Sequence, residues 1–373
     1  MRKLASLVTI DKVEPIENAD RLAVATIKGK TWKVVVGKND FLPSDSAIYF
    51  EIDSYLPADD ERYNFLKERC LKKFVSKSGK VLAEGIRIKT IKLRGVISQG
   101  LLMPTDRFPE LDEQIENPGE GTDLTEILKV KHYDEIAEAL RPVMGVSIAA
   151  EAYGPFPTEF IPKTDEERIQ NLGEYFETMK GVEFQVTEKF DGTSVTMFYS
   201  PTIDPQNPFG VCSRNLRLKP VTNTGAVPLA WQIANAYFVE SALKKLYNQG
   251  GHEYAVQGEL VGPGINGNRD MYTEHKWYVF RIYDIKAGRF LSPAETETAA
   301  RCLLGCPHVK VISPNLKIFD EYPTFDKLME FAQGKTDRGN EREGIVCKTT
   351  KPPYVSFKVV SNKYLLKSKG ENE

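Results

Sequence analysis

The sequence predicts an α+β protein with two domains, a small β-barrel followed by a domain of mixed helices and strands. Three observations support this. The chain has 373 residues, which is long for one domain and enough for two hydrophobic cores. The first third consists of short β segments separated by glycine and proline. From Ala150 onward, amphipathic helical patterns alternate with strand-like runs.

The composition is that of an ordinary globular protein, with 41% apolar and 27% charged residues. The net charge is −2, so any contact with nucleic acid must come from local basic stretches. The five cysteines are scattered, which favours reduced thiols in the cytoplasm, with the nucleus as the alternative. Asp11 ends the short apolar start, and no run approaches the roughly 20 apolar residues of a membrane span. We expect a monomer with no membrane partner.

The barrel prediction depends on a series of short strands. These are Ala23–Ile27, Thr31–Val36, Ala47–Ile52, Ile86–Leu93 and Gly100–Pro104. The stretch Arg87–Arg94 contains four basic residues, namely Arg87, Lys89, Lys92 and Arg94. Its alternation changes phase, and a β-bulge near Thr90 would reconcile the two runs. These charges are candidates for binding a phosphate backbone, although such charges often only solvate an exposed face.

The connection between the domains is predicted in a segment rich in proline, glycine and acidic residues. Glu113–Gly121 has this composition, and an amphipathic stretch follows near Tyr133–Leu140. We therefore place the first domain at residues 1–120, the linker at 121–149 and the second domain at 150–373.

The second domain is predicted to open with a helix. Thr164–Glu167 has the pattern of a capping box, and apolar residues follow at helical spacing until Gly181. Longer helical patterns occupy Val227–Asn248 and Pro293–Leu304. Strand-like runs lie near Glu183–Lys189, Ser194–Tyr199, Glu253–Val261, Trp277–Ile285, Glu343–Lys348 and Val355–Val360.

The chemistry is predicted to centre on Lys189. In the preceding strand, Val182, Phe184 and Val186 share one face, so Lys189 leaves the strand on its polar side. A turn containing Asp191 and Gly192 follows. A lysine amine in this position can attack a phosphoanhydride if its pKa is lowered by burial or neighbouring cations. Taken alone, Lys-x-Asp-Gly also fits a surface lysine beside a tight turn.

Further motifs follow in order, each with a strand-like context. They are Ser213-Arg-Asn215, Gly258-Glu-Leu-Val-Gly262, Tyr283-Asp-Ile285, Glu343-Gly-Ile-Val-Cys-Lys348 and Ser356-Phe-Lys358. Together with Lys189, this set resembles the motifs of the covalent nucleotidyltransferase superfamily, which comprises polynucleotide ligases and mRNA capping enzymes. The resemblance covers roughly residues 150–370. It implies a nucleotidyltransferase domain built on antiparallel sheets with flanking helices.

The resemblance implies a role for each motif residue. Lys189 would form a lysyl–AMP phosphoramidate from ATP, and Lys358 would neutralise the α-phosphate. Asp191 and Glu343 would organise Mg²⁺ or Mn²⁺. The nucleotide-binding candidates are Arg168, Glu188, Arg214, Glu259, Tyr283 and Lys358. Among them, Glu259 would bind the ribose hydroxyls and Tyr283 would stack on adenine.

The order of the domains distinguishes branches of this superfamily. Capping enzymes and many DNA ligases carry an OB-fold after the last motif, whereas fifteen residues follow Lys358 here. The opening Val13–Leu22 resembles OB-fold tRNA-binding modules. An N-terminal OB module before a ligase domain resembles RNA ligases of the Naegleria and Deinococcus types. Pro162–Asn171 is similar to the segment that opens the catalytic domain of RNA ligase 2-like enzymes, and Arg168 would then face the active site.

Two positions depart from the pattern of RNA ligase 2-like enzymes. Ser194 stands where these enzymes often have Asn, and Ser356 stands where they often have a lysine. Between Gly344 and Gly370 there are six lysines, including Lys363, and no Asp or Glu, which indicates a cationic strip for a phosphate-rich ligand. We include Ser194 and Lys363 among the nucleic-acid-binding candidates. Cys302, Cys306 and His308 have metal-like spacing, but no fourth zinc ligand is evident.

The sequence therefore predicts an ATP-dependent RNA ligase that seals 3′-hydroxyl and 5′-phosphate ends of RNA, in RNA repair. The enzymatic alternatives are an mRNA capping guanylyltransferase and a DNA ligase. The alternative from another class is a non-catalytic protein that binds RNA or tRNA.

Overall fold

The computed structural model describes residues 3–111, 118–144 and 152–367. The chain divides into two compact units. The first comprises Met1–Ala149 and Gln170–Glu174, and the second comprises Ala150–Ile169 and Tyr175–Glu373.

The first unit is built mainly from short antiparallel strands. They are β1 (Ala5–Pro15), β2 (Leu22–Ile27), β3 (Lys33–Gly37), β4 (Ser46–Phe50), β5 (Ser54–Pro57), β6 (Leu71–Val75), β7 (Val81–Arg87), β8 (Thr90–Leu93), β9 (Val96–Gln99), β10 (Leu101–Pro104) and β11 (Lys131–His132). One sheet has the order β10-β4-β1-β2-β3, a second has the order β11-β5-β7-β6, and β8 pairs with β9. The α-helices of this unit include Lys67–Cys70 and Tyr133–Met144.

The core of the first unit follows from the alternation of its strands. Ala23, Ala25 and Ile27 are buried on one face of β2, beside the fully buried Trp32. A second cluster surrounds Phe50, and it includes Leu124, Leu128 and Val130 from the segment predicted as a linker. These three residues contribute to the core of the first unit.

The structure corrects the prediction for the basic stretch Arg87–Arg94. A bulged strand is not formed, because β7 ends at Arg87 and β8 begins at Thr90. The strand β7 pairs with β5 and β6, whereas β8 pairs with β9. The change of phase in the sequence therefore marks the point where the chain passes from one sheet to another.

The second unit contains two larger sheets. Its strands are β12 (Ala152–Pro155), β13 (Glu167–Arg168), β14 (Phe184–Lys189), β15 (Thr193–Tyr199), β16 (Phe209–Cys212), β17 (Leu216–Leu218), β18 (Tyr254–Val261), β19 (Lys276–Asp284), β20 (Arg289–Phe290), β21 (Val311–Leu316), β22 (Gly344–Thr349) and β23 (Ser356–Val360). A seven-stranded sheet has the order β12-β17-β16-β15-β18-β19-β20, and a five-stranded sheet has the order β13-β23-β22-β14-β21. The α-helices include Tyr175–Thr178, Leu229–Ala236, Val239–Gly250, Pro293–Thr298, Ile318–Glu321, Phe325–Ala332 and Asn362–Lys367.

The two faces of β14 have different environments, as the sequence predicts. Phe184 and Val186 are fully buried on the apolar face. Phe184 packs edge-on against Phe319 and Phe357, with ring centroids 5.8 and 5.5 Å apart. This packing fixes the strand and leaves Lys189 on the opposite face.

The helix predicted to start at Thr164 is wrong. Glu167 and Arg168 instead form β13, which runs parallel to β23, and a 3₁₀ turn at Ile169–Asn171 follows. Pairing with a strand distant in the sequence overrides the local capping pattern. The helix predicted over Val227–Asn248 is broken in two at Phe238, which adopts a left-handed conformation with φ of 53°.

Candidate active site

The site is organised around Lys189, the last residue of β14. Its Nζ donates a hydrogen bond to Glu343 Oε1 at 2.7 Å. Glu343 immediately precedes β22, and its neighbour Gly344 pairs with Lys189 in the register of β14 and β22. The two side chains therefore meet where β14 ends and the adjacent strand β22 begins.

Two glycines allow the chain to approach closely at this site. A Cβ atom on Gly344 would lie 2.1 Å from the carbonyl oxygen of Val359 on β23. A Cβ atom on Gly192 would lie 2.4 Å from the carbonyl oxygen of Leu260 on β18. Both distances are far below contact distance, so only glycine fits at either position.

Two further carboxylates surround the Lys189 amine. Glu259 lies on β18 directly opposite Ser194 of β15, and its side chain is close to the backbone of Gly192. Asp191 Oδ1 accepts a hydrogen bond from Asn266 Nδ2 at 3.3 Å. The structure thus brings Lys189, Asp191, Ser194, Glu259 and Glu343 together, as the motifs predict.

The carboxylates determine the electrostatics of the Lys189 amine. Burial alone would lower the pKa of Lys189, but Glu343, Glu259 and Asp191 together raise it above its ordinary value. Burial raises the pKa of Glu259 to about 8, although Lys189 opposes this shift. Burial also raises the pKa of Glu343. The lowered lysine pKa expected from the sequence is therefore not found in this structure.

Lys358 and Arg168 form a second basic group on the same sheet. Arg168 on β13 is the direct partner of Lys358 on β23. On the next strand, β22, Val346 lies opposite both Lys358 and Thr187 of β14. Direct partners across strands share a face, so Lys358 and Arg168 lie on the face of Lys189. Burial lowers the pKa of Lys358, the Asp165 carboxylate opposes this shift, and Arg168 lowers the pKa further.

Asp165 connects Lys358 to Arg214. Lys358 Nζ donates a hydrogen bond to Asp165 Oδ1 at 2.8 Å, and Arg214 Nη2 lies 3.7 Å from Asp165 Oδ2. A carboxylate therefore lies between two side chains that the motifs assign to phosphate or nucleotide binding.

A family model described as RNA ligase matches residues 182–365, and a model described as an OB-fold domain matches residues 4–105. Solved structures of RNA ligase from Naegleria gruberi are similar to the whole chain. The structure with PPi is 33% identical, covers 100% of both chains and has a TM-score of 0.82. A single-residue variant in the apo form is 33% identical, covers 100% of this chain and 99% of that chain, and has a TM-score of 0.82. A variant with ATP and Mn is 33% identical, covers 98% of both chains and has a TM-score of 0.81.

This chain belongs to the RNA ligase family. The predictions of an ATP-dependent RNA ligase, of an N-terminal OB-fold and of a following ligase domain are confirmed. The assignment favours the RNA ligase over the capping enzyme, the DNA ligase and the binding protein considered as alternatives. No curated protein sequence matches the chain. Within the described residues, none of the helices combines the length and the apolarity that a bilayer crossing requires.

The ligase has oxygen atoms suited to a divalent cation at this site. Glu343 Oε2 and Asp191 Oδ2 are buried, and neither accepts a hydrogen bond from the part of the chain that the structure describes. Carboxylate oxygens are the ligands that Mg²⁺ and Mn²⁺ prefer. Over residues 3–111, 118–144 and 152–367, no group of three or more His, Cys, Asp or Glu side chains is arranged to hold a metal. Two carboxylates of the ligase therefore fit a cation that takes its other ligands from phosphate and water.

Tyr283 on β19 and Glu259 on β18 lie on the same face of the seven-stranded sheet. Tyr283 is directly opposite Ala255, and its half-buried ring packs edge-on against Phe290 at 4.9 Å. The neighbouring residues Trp277, Val279 and Ile282 belong instead to the core behind the sheet. Tyr278, which the sequence analysis did not select, lies directly opposite Glu259 and packs edge-on against Phe190 at 4.7 Å.

Glu188 is not brought to the Lys189 face. It lies on the opposite face of β14, across from the buried Ile345, and is itself buried. Burial raises the pKa of Glu188 to about 7, and Lys310 and Arg342 oppose this shift. The geometry of the ligase gives no support to a nucleotide contact through this carboxylate.

Lys348 is buried and was not predicted as a site residue, although it belongs to the motif Glu343–Lys348. Lys348 Nζ donates a hydrogen bond to the carbonyl oxygen of Phe280 at 2.5 Å. Burial lowers the pKa of Lys348 to about 7, and Arg281 lowers it further. Arg281 in turn forms an ion pair with Glu166 at 3.2 Å. The signal that could have identified Lys348 is its place at the end of the motif that begins with Glu343.

The candidate RNA-binding side chains of the first unit are not on one strand. Arg87 ends β7, forms an ion pair with Asp53 at 3.0 Å and stacks on Tyr133 at 3.7 Å. Lys89 lies between the two strands, Lys92 is exposed on β8 and Arg94 is exposed in the turn that follows. In the second unit, Lys363 is exposed on the helix Asn362–Lys367.

Proposed function

We propose that this RNA ligase becomes adenylylated on Lys189 by ATP and then joins RNA ends. The AMP group passes from Lys189 to a 5′-phosphate end, and a 3′-hydroxyl displaces AMP to form the phosphodiester. The observation that carries the proposal is the position of Lys189, at a strand end and surrounded by the carboxylates of Glu343, Glu259 and Asp191. The ATP and Mn in related solved structures support the choice of nucleotide and cation.

In the first step, the Lys189 amine forms a bond to the α-phosphorus of ATP. The bond from that phosphorus to the bridging oxygen breaks, and pyrophosphate leaves. The Lys189 ammonium loses one proton to solvent before the attack, because only the free amine carries the electron pair, and it loses a second as the bond to phosphorus forms. The sheet packing of Phe184 and Val186 holds the strand end in place, so catalysis depends on positioning more than on movement of the lysine.

Lys358 and Arg168 are placed to neutralise the charge that builds on the transferring phosphate. They lie side by side on the face of Lys189, Arg168 buried and Lys358 half-buried, and cations shielded from water stabilise charge more strongly than exposed ones do. Asp165 holds Lys358 until a phosphate replaces it. Arg214, on the other side of Asp165, would contact the nucleotide or the RNA end.

The remaining site residues have supporting roles. Glu259 would accept hydrogen bonds from the ribose hydroxyls, and Tyr283 on the same face would stack on adenine. Asp191 and Glu343 would hold a Mg²⁺ or Mn²⁺ ion, which neutralises phosphate charge when bound. Ser194, opposite Glu259, and the exposed Lys363 are proposed to contact RNA.

The biological setting is proposed from the same chemistry. Joining of a 3′-hydroxyl to a 5′-phosphate points to the repair of broken or nicked RNA. We expect a monomer in a reducing compartment, the cytoplasm or the nucleus, and the scattered positions of the five cysteines support that compartment. The domains would be the OB-fold at 1–120 and the nucleotidyltransferase at 150–373, joined by residues 121–149, part of which packs into the core of the first unit.

The test is covalent labelling of the purified protein with ATP or GTP labelled at the α-phosphate, in the presence of Mg²⁺ or Mn²⁺. We expect ATP label that survives denaturation and is released by acid, as a phosphoramidate is. Peptide mapping should locate the AMP on Lys189. Labelling by GTP alone would identify a capping enzyme, and label on another residue would refute the assignment of the nucleophile.

A further inference from the structure

The first unit contains a strongly basic hairpin. We define the basic hairpin as residues 67–85, which comprise the helix Lys67–Cys70, the strand β6, the turn that follows it and the first five residues of β7. Its first fourteen residues contain six cations and a single carboxylate, Glu68. The cations are Lys67, Arg69, Lys72, Lys73, Lys77 and Lys80. In a protein of net charge −2, this is a marked local excess of positive charge.

These cations are largely without counter-charges in the protein. Lys73 forms an ion pair with Glu84 at 2.5 Å. Within the described residues, none of the carboxylates forms an ion pair with any of the other five cations. Arg62, which is nearby in the sequence, differs from these five cations because it forms ion pairs with both Asp60 and Glu110. Carboxylates therefore pair with a cation in this part of the first unit, but most cations of the basic hairpin have no such ion pair with a described residue.

The tip of the basic hairpin is ordered by its own hydrogen bonds. The backbone N–H of Ser76 donates to the carbonyl oxygen of Lys80 at 2.8 Å, and Gly79 adopts a left-handed φ of 83°. The Ser76 hydroxyl also accepts a hydrogen bond from the backbone N–H of Lys80 at 3.1 Å. Lys77 and Lys80 are thus presented on a defined turn, both exposed to solvent.

Apolar side chains next to the cations are also exposed. Val75 and Val81 are direct partners across the two strands and are 37% and 46% exposed. Phe65, two residues before Lys67, is 61% exposed. Exposed aromatic and apolar groups among cations are typical of surfaces that bind sugar rings and bases beside phosphates.

Protection of a sheet edge is the simplest alternative explanation, because β6 is the edge strand of its sheet. Lysine on an edge strand discourages pairing with another chain. That role accounts for Lys72 and Lys73, which lie within β6. It does not account for Lys77 and Lys80 in the turn, for Lys67 and Arg69 before the strand, or for the exposed Phe65.

We propose that the basic hairpin binds the phosphate backbone of the RNA substrate and that Phe65 stacks on a base beside it. The inference rests on the proposed function, since it names where the ligase holds its RNA outside the nucleotide site. A polyanion neutralises the unpaired cations and releases its own condensed counterions, which supplies the driving force for binding.

The test compares two triple variants of the full-length protein. The hairpin variant carries Lys72→Gln, Lys77→Gln and Lys80→Gln. The control variant carries Lys38→Gln, Lys244→Gln and Lys327→Gln, which removes the same charge from other exposed positions. Binding of a 5′-phosphorylated nicked RNA duplex is measured without ATP at several salt concentrations. Adenylylation by ATP alone, which needs no RNA, is measured for each protein.

We expect the hairpin variant to bind the nicked RNA roughly 10-fold more weakly at physiological salt, and its dependence of log affinity on log salt to flatten by about 2. The control variant should match the wild type in both respects. Phe65→Ala should weaken binding with no change in slope, because stacking releases no counterions. Equal affinity and slope in the two triple variants would overturn the proposal.

The outcomes for the two proposals can be separated. A wild-type protein that takes no label from ATP contradicts the proposed function, whatever its affinity for RNA. A wild-type protein that is labelled and seals RNA, but whose hairpin variant binds like the control, contradicts only the role of the basic hairpin.

Discussion

Two groups of basic side chains in the ligase differ in whether a carboxylate holds them. In the nucleotide site, Lys189 and Lys358 each donate to a carboxylate, at 2.7 and 2.8 Å. In the basic hairpin, Lys77 and Lys80 extend into solvent from a turn. A cation held by a carboxylate has a fixed position, which suits one phosphorus atom in a defined reaction. A cation without such a partner can follow a flexible polyanion.

The difference also separates what each group can contribute. Replacement of a held cation removes an interaction with a transition state, and such losses are large. Replacement of an exposed cation removes one of several contacts with RNA, and such losses are moderate and depend on salt. The following predictions test this division.

The largest effect is expected for Lys189→Ala. It should abolish AMP adduct formation and ATP-dependent sealing, because the variant has no amine at the strand end to form the phosphoramidate. The same variant should still join an RNA end that is already adenylylated, since that step needs no lysyl intermediate. Both reactions are followed by gel electrophoresis of labelled protein and RNA. ATP label retained by the variant would mean that another residue is the nucleophile.

Lys358→Ala should reduce the rate of adenylylation by roughly 100-fold or more, because a half-buried cation next to the transferring phosphate is lost. Lys363→Ala is the matched control, since Lys363 lies on the following helix and is exposed. It should change adenylylation by less than about twofold and act only on RNA binding. Similar losses of adduct in the two variants would show that the last motif is misplaced.

Asp165→Asn should change the pH profile of adenylylation. The Asp165 carboxylate raises the pKa of Lys358 against the larger effect of burial, so its removal lowers that pKa further. Lys358 neutralises phosphate only while protonated, and it is protonated below its pKa. The decline of the rate at alkaline pH should therefore begin at a lower pH in the variant. An unchanged alkaline limb would indicate that Lys358 does not titrate in this range or does not act on the phosphate.

The smallest effect on RNA is expected for Arg87→Gln. Arg87 is held by Asp53 and Tyr133, so it resembles the fixed cations although it was selected for RNA binding. Its loss should lower the free energy of unfolding by about 1 kcal/mol. RNA affinity should change by less than about twofold. Urea unfolding and RNA titration of the same preparation measure both. A large loss of RNA affinity with unchanged stability would assign Arg87 to the RNA surface.

Much of the second unit could be predicted from the sequence because its strands alternate cleanly. The separation of Phe184 and Val186 from Lys189 follows from a period of two residues, and the motifs fall at strand ends where side chains meet. The proximity of Lys189 and Glu343 was implied by a family resemblance. Periodicity within one strand cannot show which strands are neighbours.

The errors have the same origin. The capping pattern at Thr164 is local, whereas the pairing of Arg168 with Lys358 joins distant parts of the chain. In the sequence, the break between Arg87 and Thr90 resembles a β-bulge. A change of sheet and a bulge both shift the alternation of apolar and polar residues by one position. Charge density in the sequence does not show that Asp53 faces Arg87, so an RNA contact through Arg87 stays a prediction.

The contact between Lys189 and Glu343 spans 154 residues of sequence. A chain made from its N-terminus contains Lys189 long before it contains Glu343, and loops of this length close slowly. The nucleophile is therefore held in place only after β22 and β23 have joined the sheet. Adenylylation should thus begin late in folding, so an AMP-bearing molecule is one whose catalytic sheet is already complete.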